Sequence, residues 1–142
     1  MAMFDFGARR KVVGFGGSEK EVGELALHVQ CAWRITREGR VIVGSRDIHY
    51  PADYSEGQEI PDEFDWDRDP NRLDKLLHAL FERGTKEFMV ERVEVGDAGR
   101  FLAVLSSDLS LEVFPDDSLP LEHWRLFNPY AEQPHFVVTG AD

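Results

Sequence analysis

Leu25-Ala26-Leu27-His28-Val29-Gln30-Cys31-Ala32-Trp33-Arg34-Ile35-Thr36 is the stretch that decides the fold. Leu25, Leu27, Val29, Cys31, Trp33 and Ile35 alternate with Ala26, His28, Gln30, Ala32, Arg34 and Thr36. A period of two over this length predicts one strand with an apolar face. Arg37-Glu38-Gly39-Arg40 reads as a turn and Val41–Ile48 as the returning strand, so Leu25–Ile48 is expected to form a hairpin. Upstream, Lys11–Phe15 reads as a short strand ended by Gly14, Gly16 and Gly17. Downstream, a helix is expected over 70–83. Asp69 is its N-cap, Pro70 occupies the first helical position, and Gly84 lies just past the end. Leu73, Leu76, Leu77, Leu80 and Phe81 would form its apolar face, and Arg72, Asp74, Lys75, His78 and Glu82 its wet one. Glu87–Val95, Arg100–Ser106 and Leu109–Phe114 follow as strands, separated by turns at Gly96-Asp97-Ala98-Gly99 and Ser107-Asp108. Leu121–Phe127 reads as a short helix and His135–Thr139 as a last strand. The expected architecture is a single α+β domain over 1–142: a mostly antiparallel sheet of six or seven strands, with one major helix packed on one face.

The chain has 142 residues, enough to bury a core without disulfides or metal. Its single cysteine cannot form an internal disulfide, which suits a reducing cytoplasm. Arg9-Arg10 precedes no apolar run of export-signal length, and no segment reaches the ~18 apolar residues of a membrane helix. Sixteen Lys and Arg against 27 Asp and Glu give a net charge of −11, which argues against nucleic acid as a partner. Much of that charge lies in one loop, 50–69. Asp53, Glu56, Glu59, Asp62, Glu63, Asp65, Asp67 and Asp69 face the single base Arg68, eight acids less one base, or −7. Tyr54, Phe64 and Trp66 are interleaved with them. The acidity serves solubility, or attracts a basic protein surface or a cation.

Familiar chemical motifs fail on their spacing. Asp65-Trp66-Asp67-Arg68-Asp69 places carboxylates like the start of a calcium loop, but Pro70 stands where that loop needs Gly, and Leu76 where it needs Glu. Gly14-Phe15-Gly16-Gly17-Ser18 lacks the Lys of a phosphate loop and is followed by Glu19. Cys31 is expected in the core, with His28 on the opposite strand face. The five histidines show no metal-ligand spacing. No catalytic residue, metal or cofactor is expected. Trp33 reads as core and Trp124 as an anchor of the C-terminal segment. Trp66 either staples the loop to the helix or stands exposed as an interface anchor.

Leu27–Ile35, Val43–Asp47, Leu111–Asp116, Trp124–Phe127 and His135–Val138 together resemble a family of small bacterial proteins without assigned activity, so the resemblance carries over no catalytic residue. In size, charge and architecture the chain is also similar to immunity proteins, which bind and block a toxin partner. Three functions follow as expectations. In the first, Asp62, Asp65, Trp66 and Asp67 contact a basic protein partner. In the second, Arg46, Asp47, His49 and Tyr50 form a small-ligand or enzymatic site with Trp124 and Arg125. In the third, exposed strand edges pair in a homodimer.

Overall fold

A computed structural model of the protein describes residues 1–14 and 16–140. The strands are β1 (Ala2–Phe6), β2 (Arg10–Val13), β3 (Glu19–Val22), β4 (Leu25–Val29), β5 (Ala32–Arg37), β6 (Arg40–Gly44), β7 (Val90–Val95), β8 (Phe101–Leu105), β9 (Leu109–Phe114), β10 (Glu122–Phe127) and β11 (Phe136–Thr139). One α-helix among the described residues, α1, spans Arg72–Leu80, and short 3₁₀ turns cover Ser45–His49, Glu82–Gly84 and Asp97–Gly99. All strand pairs are antiparallel. The α+β character is as the sequence implies, but the single sheet is not. The described strands form three sheets, ordered β1-β4-β10-β11, β2-β3 and β6-β5-β9-β8-β7.

The reason lies inside the opening stretch. The Gln30 and Cys31 amides both donate to the His123 carbonyl, at 2.8 and 3.2 Å. Two donors on one acceptor end the ladder with β10, and the chain re-enters as β5 in the five-stranded sheet. Two residues, Gln30 and Cys31, separate β4 from β5, an even number, so the apolar parity survives the break. Leu27, Val29, Trp33 and Ile35 are all buried. Leu25, expected on that face, is exposed, and Ala26 is buried instead.

The chain divides into two compact units. The first comprises Met1–Cys31, Asp97–Gly99 and Pro115–Asp142, and holds the four- and two-stranded sheets. Its core includes Val22, Ala26, Leu27, Val29 and Trp124. The indole Nε1 of Trp124 donates to Gly99 O at 2.7 Å. Trp124 therefore lies in a strand, not in the expected helix over Leu121–Phe127. A bulge between Glu122 and Trp124 lets His123 and Trp124 both turn inward. Two adjacent buried residues break the period of two, which is why the segment reads as helical.

The second unit comprises Ala32–Gly96 and Arg100–Phe114. Its register sets Trp33 opposite Val113, and Ile35 opposite both Leu111 and Val43. With Leu109, Ala103 and Leu105 these form the buried face. The turns Glu38-Gly39 and Ser107-Asp108 have φ of +50°, +77°, +61° and +59°. Positive φ at both central residues matches the twist of a two-residue hairpin. β6 stops at Gly44, and the expected strand to Ile48 becomes a 3₁₀ turn because Asp47 Oδ2 accepts the Gly44 amide at 2.9 Å.

Helix α1 packs against β6 and the Ser45–His49 turn, with Leu73 buried and Leu76, Leu77, Leu80 and Phe81 partly covered. It begins later and ends earlier than 70–83. An isolated bridge, Pro51 to Asn71, holds Asn71 extended. Asn71, not Asp69, is the cap, its Oδ1 accepting the Asp74 amide at 2.9 Å. Past the helix, Glu82, Arg83 and Gly84 all have positive φ, which stops further helical turns.

Candidate functional site

The acidic loop is tied shut at its base. Ala52 N donates to Pro70 O at 2.9 Å and Arg72 N to Tyr50 O at 2.8 Å. Within it, short turns follow one another: Tyr54 N to Pro51 O, Gln58 N to Ser55 O, and Phe64 N to Pro61 O. The last turn is the most constrained. Asp65 Oδ1 accepts the Asp67 amide at 3.0 Å, and Asp69 Oδ2 accepts the Asp65 amide at 2.9 Å. The Asp69 amide returns to Asp65 O at 2.7 Å. Asp69 thus closes this turn instead of capping the helix. Short aspartates suit this work, because their oxygens reach backbone amides two to four residues away.

Trp66 sits at the crest of that turn. Asn71 Nδ2 donates to Trp66 O at 3.3 Å, and the His49 ring meets the indole edge-on with centroids 5.9 Å apart. The residue is nonetheless 45% exposed. Its backbone is thus tied to the helix start while its side chain faces water. Asp53 lies near Lys75 Nζ, and Asp65 near Arg68. Glu56, Glu59, Asp62, Glu63 and Asp67 are exposed and pair with no cation among the described residues.

Asn71 joins these parts. It is buried, caps α1, and holds Trp66 O. Asn71→Ala is expected to cost about 1–2 kcal/mol and to shift Trp66 emission, while Asp69→Ala leaves the helix intact. Thermal melts followed by circular dichroism check this ranking; equal losses for the two variants would contradict the capping assignment.

The second expected group is divided between units. Arg46, Asp47, His49 and Tyr50 belong to the second unit, Trp124 and Arg125 to the first. Asp47 is occupied: Oδ2 takes the Gly44 amide and Oδ1 faces Arg72 Nε at 3.3 Å. Arg46 is exposed, and His49 is used against Trp66.

Pairing of β4 with β10 creates a cluster that sequence spacing does not show, because His28 and Arg125 become cross-strand neighbours. Arg125 is bound to Glu122 through Nε at 2.6 Å and through Nη2, and meets His135 Nδ1 at 3.1 Å. Gln30 Nε2 also donates to Glu122, at 3.0 Å. Phe127 stacks on His135 at 4.3 Å and meets the His28 edge at 4.8 Å. The Arg125 hydrogen bonds hold the Glu122 carboxyl below the usual carboxylate range. Burial, then the Arg125 charge, lowers the His28 pKa. Here the Arg125 charge is countered by Glu122 and the rings pack on one another, so the arrangement braces the strands. Two strands far apart in sequence supply it, and reading Leu121–Phe127 as helical hides the pairing.

Burial pushes the Cys31 thiol up to about 11, with Asp116 and Asp117 adding to the effect. A thiol held this high is almost wholly protonated at neutral pH and is a poor nucleophile. No group of three His, Cys, Asp or Glu side chains among the described residues is placed to hold a metal ion. A concavity of about 380 Å³ lies on the outer face of the five-stranded sheet, lined in part by Arg34, Glu94, Arg100 and Glu112. Arg34 is already bound to Glu112 there. No helix is long and apolar enough to cross a membrane among the described residues. Compared with known proteins, the chain matches no family model, no curated protein and no solved structure, so no residue role is transferred to it from a relative.

Proposed function

We propose that this chain is a protein-binding protein that receives a basic segment of another protein on its Tyr50–Asn71 loop. The observation that carries the reading is the state of Trp66: its backbone is fixed by Asn71 while its ring stays half exposed. A large aromatic held in place before binding loses little conformational entropy on contact, and Trp is prominent among interface anchors. Around it, Asp62, Asp65 and Asp67 supply a negative field that steers a cationic partner. Asp65 also spends one oxygen on the Asp67 amide, so it shapes the turn as well as charging it.

The test is affinity capture from cells that make the protein, with wild type, Trp66→Ala and Asp62→Lys/Asp67→Lys as baits. Retention of one basic protein by wild type, its loss with both variants, and its release by raised salt are the expected results. A captured set identical for all three baits would sink the reading. Circular dichroism of each bait separates loss of binding from loss of fold.

A further inference from the structure

We infer that β7 is a self-recognising edge, through which two copies of the chain join their five-stranded sheets into one continuous ten-stranded sheet. β7 is the terminal strand in the order β6-β5-β9-β8-β7, and all six of its residues are exposed. Val93 and Val95 are 56% and 83% exposed.

The backbone decides which residues can pair. Gly96 N donates to Arg100 O at 3.0 Å across the β7–β8 hairpin. Antiparallel ladders alternate, so Glu94 and Arg92, opposite Leu102 and Val104, also turn their amides and carbonyls toward β8. The amides and carbonyls of Val93 and Val95 then point to the open edge. A second copy related by a two-fold axis through Val93 meets those groups directly. Val93 faces the partner's Val93, and each strand supplies both donor and acceptor.

Charge selects the same register. With Val93 on the axis, Arg92 lies opposite the partner's Glu94, and Glu94 opposite the partner's Arg92, on the same side of the sheet. Within one chain Arg92 Nε already lies 3.2 Å from Glu94 Oε1. The two copies would therefore form a ring of four alternating charges. Centring on Arg92 or Glu94 sets like charges against each other, which is unfavourable for directly opposed residues. Edge strands are commonly protected by charges and bulges. Here the irregularity falls between Val90 and Arg92, at the end of the paired stretch, and the charges complement one another when the strand meets its own copy.

Sedimentation equilibrium of the intact chain over a wide concentration range tests this. The wild type is expected to move from one to two copies. Arg92→Glu should weaken association on the order of 10–100-fold, because both cross-copy pairs turn repulsive. Arg92→Glu/Glu94→Arg should restore it. Val93→Lys, which sets two ammonium groups face to face on the axis, should abolish it, with circular dichroism confirming that each variant is folded. A wild type that stays monomeric throughout, a dimer indifferent to Arg92→Glu and Val93→Lys, or a double variant that fails to recover would each overturn the inference. The acidic loop is not part of this edge, so this result and that of the capture experiment are independent.

Discussion

Trp33→Ala is expected to cost about 3–5 kcal/mol, the range for truncating a buried aromatic. Total stabilities of folded domains run to about 5–15 kcal/mol, so the variant should lose a large part of the second unit's cooperativity. Trp33 is almost wholly buried, pairs with the fully buried Val113, and its amide lies 3.2 Å from Ser45 Oγ. No neighbouring strand can move in to fill the space without leaving its own ladder. Its neighbour Arg34 is the control. That residue binds Glu112, but both side chains are substantially exposed, so Arg34→Ala should cost less than about 1 kcal/mol. Urea unfolding of the two variants reads the difference directly. A Trp33→Ala midpoint close to that of Arg34→Ala would mean that the sheet face is not the core described above.

Gly99→Ala is expected to cost about 2–5 kcal/mol in the first unit, from two sources that can be separated. The residue has φ +74°, where an added Cβ costs about 1–2 kcal/mol. That Cβ would also lie 2.6 Å from Val138 Cγ1 and 3.4 Å from Pro115 Cγ. Valine is stiff at χ1, so the methyl cannot simply rotate away, and overpacking adds about 1–3 kcal/mol. Relief by backbone movement would pull Gly99 O from the Trp124 indole and weaken that hydrogen bond. Gly84 isolates the first source, since it has φ +87° with nothing within 4 Å of an added Cβ. Gly84→Ala should therefore lose only the strain. Melting curves, with Trp124 emission recorded in a Trp33→Phe/Trp66→Phe background, would show the two effects; matching losses for the two glycines would refute the steric part.

What the sequence makes legible is local. The hairpin turn at Glu38-Gly39, the turn at Ser107-Asp108, strand β9 and the apolar face of α1 all follow from patterns within a dozen residues. The division into sheets does not, because it depends on one carbonyl, His123 O, more than 90 positions beyond the amides it accepts. The edges of α1 were obscured for a similar reason. Asp69-Pro70 is a strong helix start by itself, but the bridge between Pro51 and Asn71 keeps Asn71 extended, and the helix starts only at Arg72. β3 has no local apolar signal, being Glu-Lys-Glu-Val, whereas β1 does alternate, with Phe4 and Phe6 half covered. In the candidate site, Trp66 and the surrounding acids stand out by composition. Asn71, which holds Trp66 in place, does not, because an asparagine before a helix has many ordinary uses. The cluster around Arg125 requires the register of β4 against β10, which no spacing within either segment contains.

The break at Gln30-Cys31 also sets an order of events during synthesis. A chain made from its N-terminus completes β5 to β9, and with them the whole five-stranded sheet, before residue 122 exists. β4 has β1 on one side but must wait for β10 on the other, since Val29 pairs with Trp124. Pairings so distant along the chain are slow to close, and an open edge carrying Leu27 and Val29 is prone to wrong partners in the meantime. The unit that holds β4 and β10 is therefore the later of the two to be finished, and any chaperone that assists this protein has most to do while β4 waits.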